Sequence, residues 1–256
     1  MWLAWRKENL DLILVPASLL IMFGYHIFLL YRYLRFANTT VIGYENHNRR
    51  IWVERMMEID AKDRPAISVI GNNISAAATM SSISLVLSSL IGAWIGSSTR
   101  NIFTSNLIYG DTSPSVISIK YVALLICFLV AFGAFVHTIR CFVHASFLIT
   151  MPNAEIPVGY IEKEVIRGNN FWELGMRALY FATTFLLWVF GPIPMFVSSV
   201  IMVGLLHNLD TNRTPLYQYP RIGHGFHKKA SQEHPQSPKL LNIMKDQMGG
   251  NRSSSA

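Results

Sequence analysis

The side chains best suited to chemistry in this chain are few, and most lie within or beside long apolar runs. His137, Arg140 and His144 fall at i, i+3 and i+7, which puts them on one face of a helix. Ionisable groups at membrane depth serve proton transfer, cofactor ligation or anion contact. A metal or haem, however, needs ligands converging from other helices. His26 is the one further imidazole on an apolar run that could join them, and no ligand spacing supports it, so no cofactor is expected. The trio sits towards the end of its apolar block, where Arg140, with His144 beside it, can reach lipid headgroups by extending its stem. Glu173 and Arg177 form an i, i+4 pair. It reads as a local ion pair at a helix entry or, through Arg177, as a hold on a lipid phosphate or anionic solute.

A second group is polar without charge. Asn72 and Asn73 precede an uncharged block and read either as a helix N-cap or as the lining of a solute route. Within that block Ser84, Ser88, Gly92 and Gly96 repeat every four residues. Small residues on one face let helix backbones approach closely in lipid. The stripe therefore reads as intramolecular packing, an oligomer seam or a narrow polar pathway. Gly191, Pro192 and Pro194 interrupt the last apolar block and mark a kink, a hinge or a broken helix. No nucleotide-binding loop, zinc-protease pair or Gly-x-Ser-x-Gly elbow occurs. The loops are too short for a folded catalytic domain, so an enzyme is not the expectation.

These residues must be positioned by membrane helices. The chain has 256 residues, of which 51% are hydrophobic and 14% charged, too apolar for an ordinary soluble domain. The apolar residues cluster into blocks that suit spans of about 20 residues. The fold class expected is an all-α integral membrane protein with four transmembrane helices, at about 10–33, 74–96, 119–139 and 177–206, within a domain covering 1–212. Asn170 and Glu173 have the spacing of a capping box for the last of these. Short amphipathic cytosolic helices are expected at 48–64 and 157–167, either lying on the inner leaflet or packed against the bundle ends. Residues 213–256 read as a polar, disordered tail. Cys127 and Cys141 lie on one predicted helix, about 21 Å apart at 1.5 Å per residue, too far for a mutual disulfide.

Basic residues crowd the segments 34–73 and 140–173. By the positive-inside rule these loops face the cytosol and the N-terminus faces outward. Four spans would then put the tail outside, although it carries Arg213, Arg221, Lys228, Lys229, Lys239, Lys245 and Arg252. The net charge of +7 lies between the apolar blocks, which points to anionic lipid headgroups rather than nucleic acid. Asn212-Arg-Thr214 and Asn251-Arg-Ser253 fit the glycosylation pattern.

Several stretches carry a family resemblance: Asn48-Arg-Arg-Ile-Trp-Val, Gly71-Asn-Asn-Ile-Ser-Ala-Ala, Phe171-Trp-Glu-Leu-Gly-Met-Arg-Ala-Leu-Tyr-Phe and Trp188-Val-Phe-Gly-Pro-Ile-Pro-Met. In these the chain resembles the plant membrane proteins grouped as domain of unknown function family 599, over roughly residues 8–212. The resemblance implies a multi-span membrane protein from a plant and brings no catalytic or binding residues; the expected location is a plasma membrane or endomembrane. Three functions fit. One is an oligomeric channel-like or transport-associated protein, resting on the small-residue stripe and the interrupted last span. Another is a scaffold or adaptor binding lipid or partner proteins through basic cytosolic loops. The third is an intramembrane redox or lipid-modifying enzyme built on His137, Arg140 and His144.

Overall fold

A computed structural model describes residues 7–59, 65–96, 113–151 and 156–215. Most of the expected tail, with Asn251, lies outside them. The described residues form α1 (Lys7–Arg35), a 3-10 turn (Ala37–Thr39), α2 (Val41–Glu58), α3 (Ala66–Gly96), α4 (Pro114–Thr150), α5 (Val158–Val189) and α6 (Pro192–Asp210). Four stretches are long and apolar enough to cross a membrane: Leu10–Arg35, Ala66–Gly96, Pro114–Thr150 and Pro192–Asp210. Their outer faces carry bare apolar side chains, among them Leu20, Ile27, Val86 and Ile201. Such continuous apolar exposure is what a lipid-facing surface requires. The chain has the architecture of an all-α integral membrane protein.

Helix directions follow from which ends touch. Ile70 of α3 packs with Ala145 and Ile149 of α4, and Ile91 packs with Tyr121 and Leu124, so α3 and α4 are antiparallel. Helix α5 runs back along α4: Ile161 and Val165 meet Phe142 and Ile149, and Ala182 meets Leu124 and Phe128. Between these contacts Gly175 admits the ring of Phe135, which would stand 2.7 Å from an added Cβ. Helix α6 lies parallel to α1, Met195 beside Val15 and Leu206 beside Tyr25 and Leu29. In lipid this packing gains van der Waals contact rather than release from water.

The expected fourth span, 177–206, is corrected by this arrangement. It is two helices, the second half of α5 and all of α6, and Gly191 between them is a turn rather than a hinge within one span. Gly191 has φ 136, a region that only glycine enters without strain. Pro192 then occupies the first helical position of α6 and Pro194 its third, where a missing N–H costs nothing. Because Arg177 of α5 meets Asp210 at the far end of α6, α6 returns antiparallel to α5. Helices α5 and α6 thus lie side by side, and of the two it is α6 that is among the four stretches long and apolar enough to cross a membrane. The chain leaves α6 at the end where α1 finishes and α3 begins. There Asn212 donates to the carbonyls of Thr39 and Asn38 at 3.0 Å each.

The other span bounds lengthen too: α3 starts at Ala66 rather than 74, and α4 fills 114–150 rather than 119–139. Much of the expected loop 34–73 is helical, α2 being capped by Thr40, whose hydroxyl accepts from the Gly43 N–H at 3.2 Å. Its Val53, with Trp52, Met56 and Met57, packs on α3, α4 and α5. Of the two readings for this segment, the structure has the helix packed on the bundle.

Candidate functional site

The polar side chains gather at the end of the bundle where α2 sits, here termed the basic end. At its centre Arg177 forms a two-pronged pair with Asp210, donating Nη1 to Oδ2 at 2.7 Å and Nη2 to Oδ1. Tyr25 of α1 donates its hydroxyl to the same Oδ2 at 2.6 Å. Glu173 stands further off, 3.7 Å from Arg177 Nη2. Three helices are joined by one buried charge cluster, and its geometry is the planar fork that guanidinium and carboxylate share. Arg177 is thus engaged inside the bundle chiefly by Asp210, and its pair with Glu173 lies within α5 rather than at a helix entry. Asp210 and Tyr25 were not singled out by sequence. Their signal was an isolated acid at the end of an apolar run and a phenol inside another.

Next to this cluster, α2 is bridged to α5 by amides. Asn169 donates to Asn46 Oδ1 at 3.0 Å. Asn46 donates in turn to Asn170 Oδ1 at 2.9 Å and to the Tyr33 hydroxyl at 3.3 Å. The capping-box reading of Asn170 and Glu173 gives way here, because α5 begins at Val158 and passes unbroken through both. Asn72 and Asn73 likewise are not caps, since α3 has already run for two turns before them; both are exposed.

Two hollows flank the amide bridge. On one side a groove of about 370 Å³ is lined by Arg50 of α2 and by Glu162, Lys163, Ile166, Arg167 and Asn170 of α5. Arg50 and Glu162 pair across it at 3.4 Å. Burial, with Glu54 nearby, holds the Glu162 carboxyl above its usual range, although Arg50 pulls the other way. On the other side lies a crevice of about 70 Å³ between Arg49, Asn73, Ala76, Phe142, Asn169 and Trp172.

The remaining sequence candidates are scattered. Ser84 and Ser88 are buried, and their hydroxyls donate back to Met80 and Ser84 carbonyls at 2.8 and 2.9 Å. Gly92 and Gly96 face open space, so the four-residue repeat is split between two faces. Arg140 and His144 are exposed on α4, as is His137. His137 lies 5.0 Å from the Phe171 ring and His26 lies 4.8 Å from Phe181, ten residues further along α5. That separation is about 15 Å along the helix axis, so the two imidazoles do not converge. Among the described residues no group of three His, Cys, Asp or Glu side chains is arranged to hold a metal ion.

Compared with known proteins, the chain resembles no curated protein and no solved structure. The pattern of one family, described as "Protein of unknown function, DUF599", matches residues 13–215. With that match covering most of the sequence and a bundle of long apolar helices beneath it, this chain is a member of the DUF599 family.

Proposed function

We propose that this protein is a membrane scaffold that binds phosphate-bearing anionic headgroups at its basic end. The observation that carries this reading is the groove between α2 and α5, where Arg50, Lys163 and Arg167 surround one space with a single carboxylate, Glu162, among them. Guanidinium and ammonium groups at a headgroup-level surface attract anionic lipid, at roughly 1 kcal/mol per cation. The basic end carries Arg32, Arg35, Arg49, Arg55 and Arg213 as well, which favours the cytosolic leaflet for it.

The test uses a soluble, short-chain phosphoinositide titrated onto the full-length protein in neutral detergent. Reversing Arg50, Lys163 and Arg167 to Glu should weaken binding by at least about tenfold, and added salt should weaken the unaltered protein's binding. Affinity unchanged by the reversal would overturn the reading.

Self-association is a second reading, favoured by one observation: Gly92 and Gly96 leave an open strip on the outer face of α3, where another helix could approach closely. It no longer has a serine-lined route beside it, since those hydroxyls are satisfied within α3. Native mass spectrometry from lipid nanodiscs separates the cases. A symmetric oligomer supports a channel-like assembly, whereas a monomer removes it.

A further inference from the structure

The crevice on the opposite side of the amide bridge has a different character from the groove. It opens sideways, between α3 and α5, because Asn73 and Ala76 on its α3 wall are exposed. Asn73 lies seven residues into α3, about 10 Å from its basic end at 1.5 Å per residue. Trp172 lines the crevice at this level, and tryptophan favours the boundary between headgroups and acyl chains. Ile83, two turns beyond Ala76 on the same face of α3, is exposed and continues the wall as apolar surface.

The polar groups inside are held in place before any ligand arrives. Asn169 is 2% exposed, and one of its two N–H donors is fixed on Asn46, leaving the other for a ligand. Arg49 gives Nη1 to Glu45 at 2.8 Å, one of the five N–H groups that a guanidinium carries. Asn73 adds a third donor side chain from α3. The crevice, at about 70 Å³, is far smaller than the groove's about 370 Å³, which suits one small oxyanion.

From this geometry we infer that the crevice is a second, lateral site that holds a single phosphate group, with Arg49, Asn73 and Asn169 as donors. A bilayer phospholipid can deliver that phosphate from the side with its chains along α3, and free phosphate offers the same chemistry. Glu45 opposes either ligand by sharing Arg49. The site is separate from the groove and does not depend on it.

Native mass spectrometry of the full-length protein with added dioleoyl-phosphatidylglycerol tests the lipid source, and thermal unfolding with added inorganic phosphate tests the free one. Ala76→Phe fills the crevice from an exposed position and Asn73→Leu removes a donor; their melting temperatures without ligand serve as the folding control. With the groove disabled by charge reversal at Arg50 and Lys163, the protein should still retain one phospholipid, and in that background each crevice variant should lower the retention by about tenfold, the equivalent of one lost charge-assisted contact. Glu45→Gln should raise it. A phosphate-induced stabilisation lost in Ala76→Phe, with lipid retention insensitive, would assign the site to free phosphate. If, in the groove-disabled background, neither lipid retention nor phosphate stabilisation differs between the parent protein and both crevice variants, the inference is wrong.

Discussion

Arg177 and Asp210 are 33 positions apart in the chain yet share two hydrogen bonds inside the bundle, with Tyr25 on the same carboxylate. Removing one partner of such a pair leaves a buried charge alone, which costs roughly 3–5 kcal/mol, whereas replacing both with apolar residues costs far less. Asp210→Ala and Arg177→Met should each lower the thermal unfolding midpoint in detergent sharply, and Arg177→Met with Asp210→Leu should recover much of the loss. Equal destabilisation by the single and double variants would contradict this account. The sequence showed the Arg177–Glu173 spacing because that contact is local; the stronger partner was invisible because it depends on how α6 folds back. Glu162 makes a separate prediction in the groove. Its carboxyl is held above the usual range by burial and Glu54. It therefore takes up a proton at a higher pH than an ordinary Glu, leaving Arg50, Lys163 and Arg167 less opposed. Glu162→Gln should raise phosphoinositide affinity at neutral pH, and the gap between variant and unaltered protein should close on acidification, since the ligand's own phosphates gain protons equally in both.

Among the elements, α5 and α6 depend on two glycines for different reasons. Gly191 holds the turn at φ 136, so Gly191→Ala forces a side chain into a region costing about 1–3 kcal/mol. Gly175 lies under the Phe135 ring, 2.7 Å from an added Cβ, so Gly175→Ala overpacks the α4–α5 contact by a similar amount, about 1–3 kcal/mol. Both should lower the unfolding midpoint, whereas Gly204→Ala, with open space around its position, should not. The sequence marked Gly191 through its neighbouring prolines, since those residues break helices wherever they occur. It did not distinguish a kink from a reversal, because both need the same local interruption. The repeat on α3 shows a similar limit. Each step of four residues advances about 40° beyond a full turn of 3.6. Ser84 therefore points into α4's contact while Gly96 has rotated to the outside, and a strict four-residue spacing cannot keep one helix face.

For the whole molecule, the return of α6 changes which segments share a side. Asn38, in the α1–α2 turn, and Thr214, after α6, lie at the same end, and Ser115 at the start of α4 lies at the other. With Cys127 and Cys141 replaced, single cysteines at Asn38 and Thr214 should react with an impermeant maleimide from one side of the membrane, and one at Ser115 from the opposite side. Labelling of Thr214 from the Ser115 side would overturn this placement. With α6 antiparallel to α5, Arg213 lies at the end of the bundle that holds the α1–α2 turn, near the other basic residues. By itself the sequence determined that the chain is helical, apolar enough for a membrane and basic between its apolar blocks. These properties follow from composition and hydrophobic run length, which are local. The tertiary structure alone decided that the last block turns back, that Asp210 pairs with Arg177, and that Asn46 and Asn169 separate two polar hollows. Each of these depends on contacts between residues far apart in the chain, and local periodicity carries no record of which distant faces will meet.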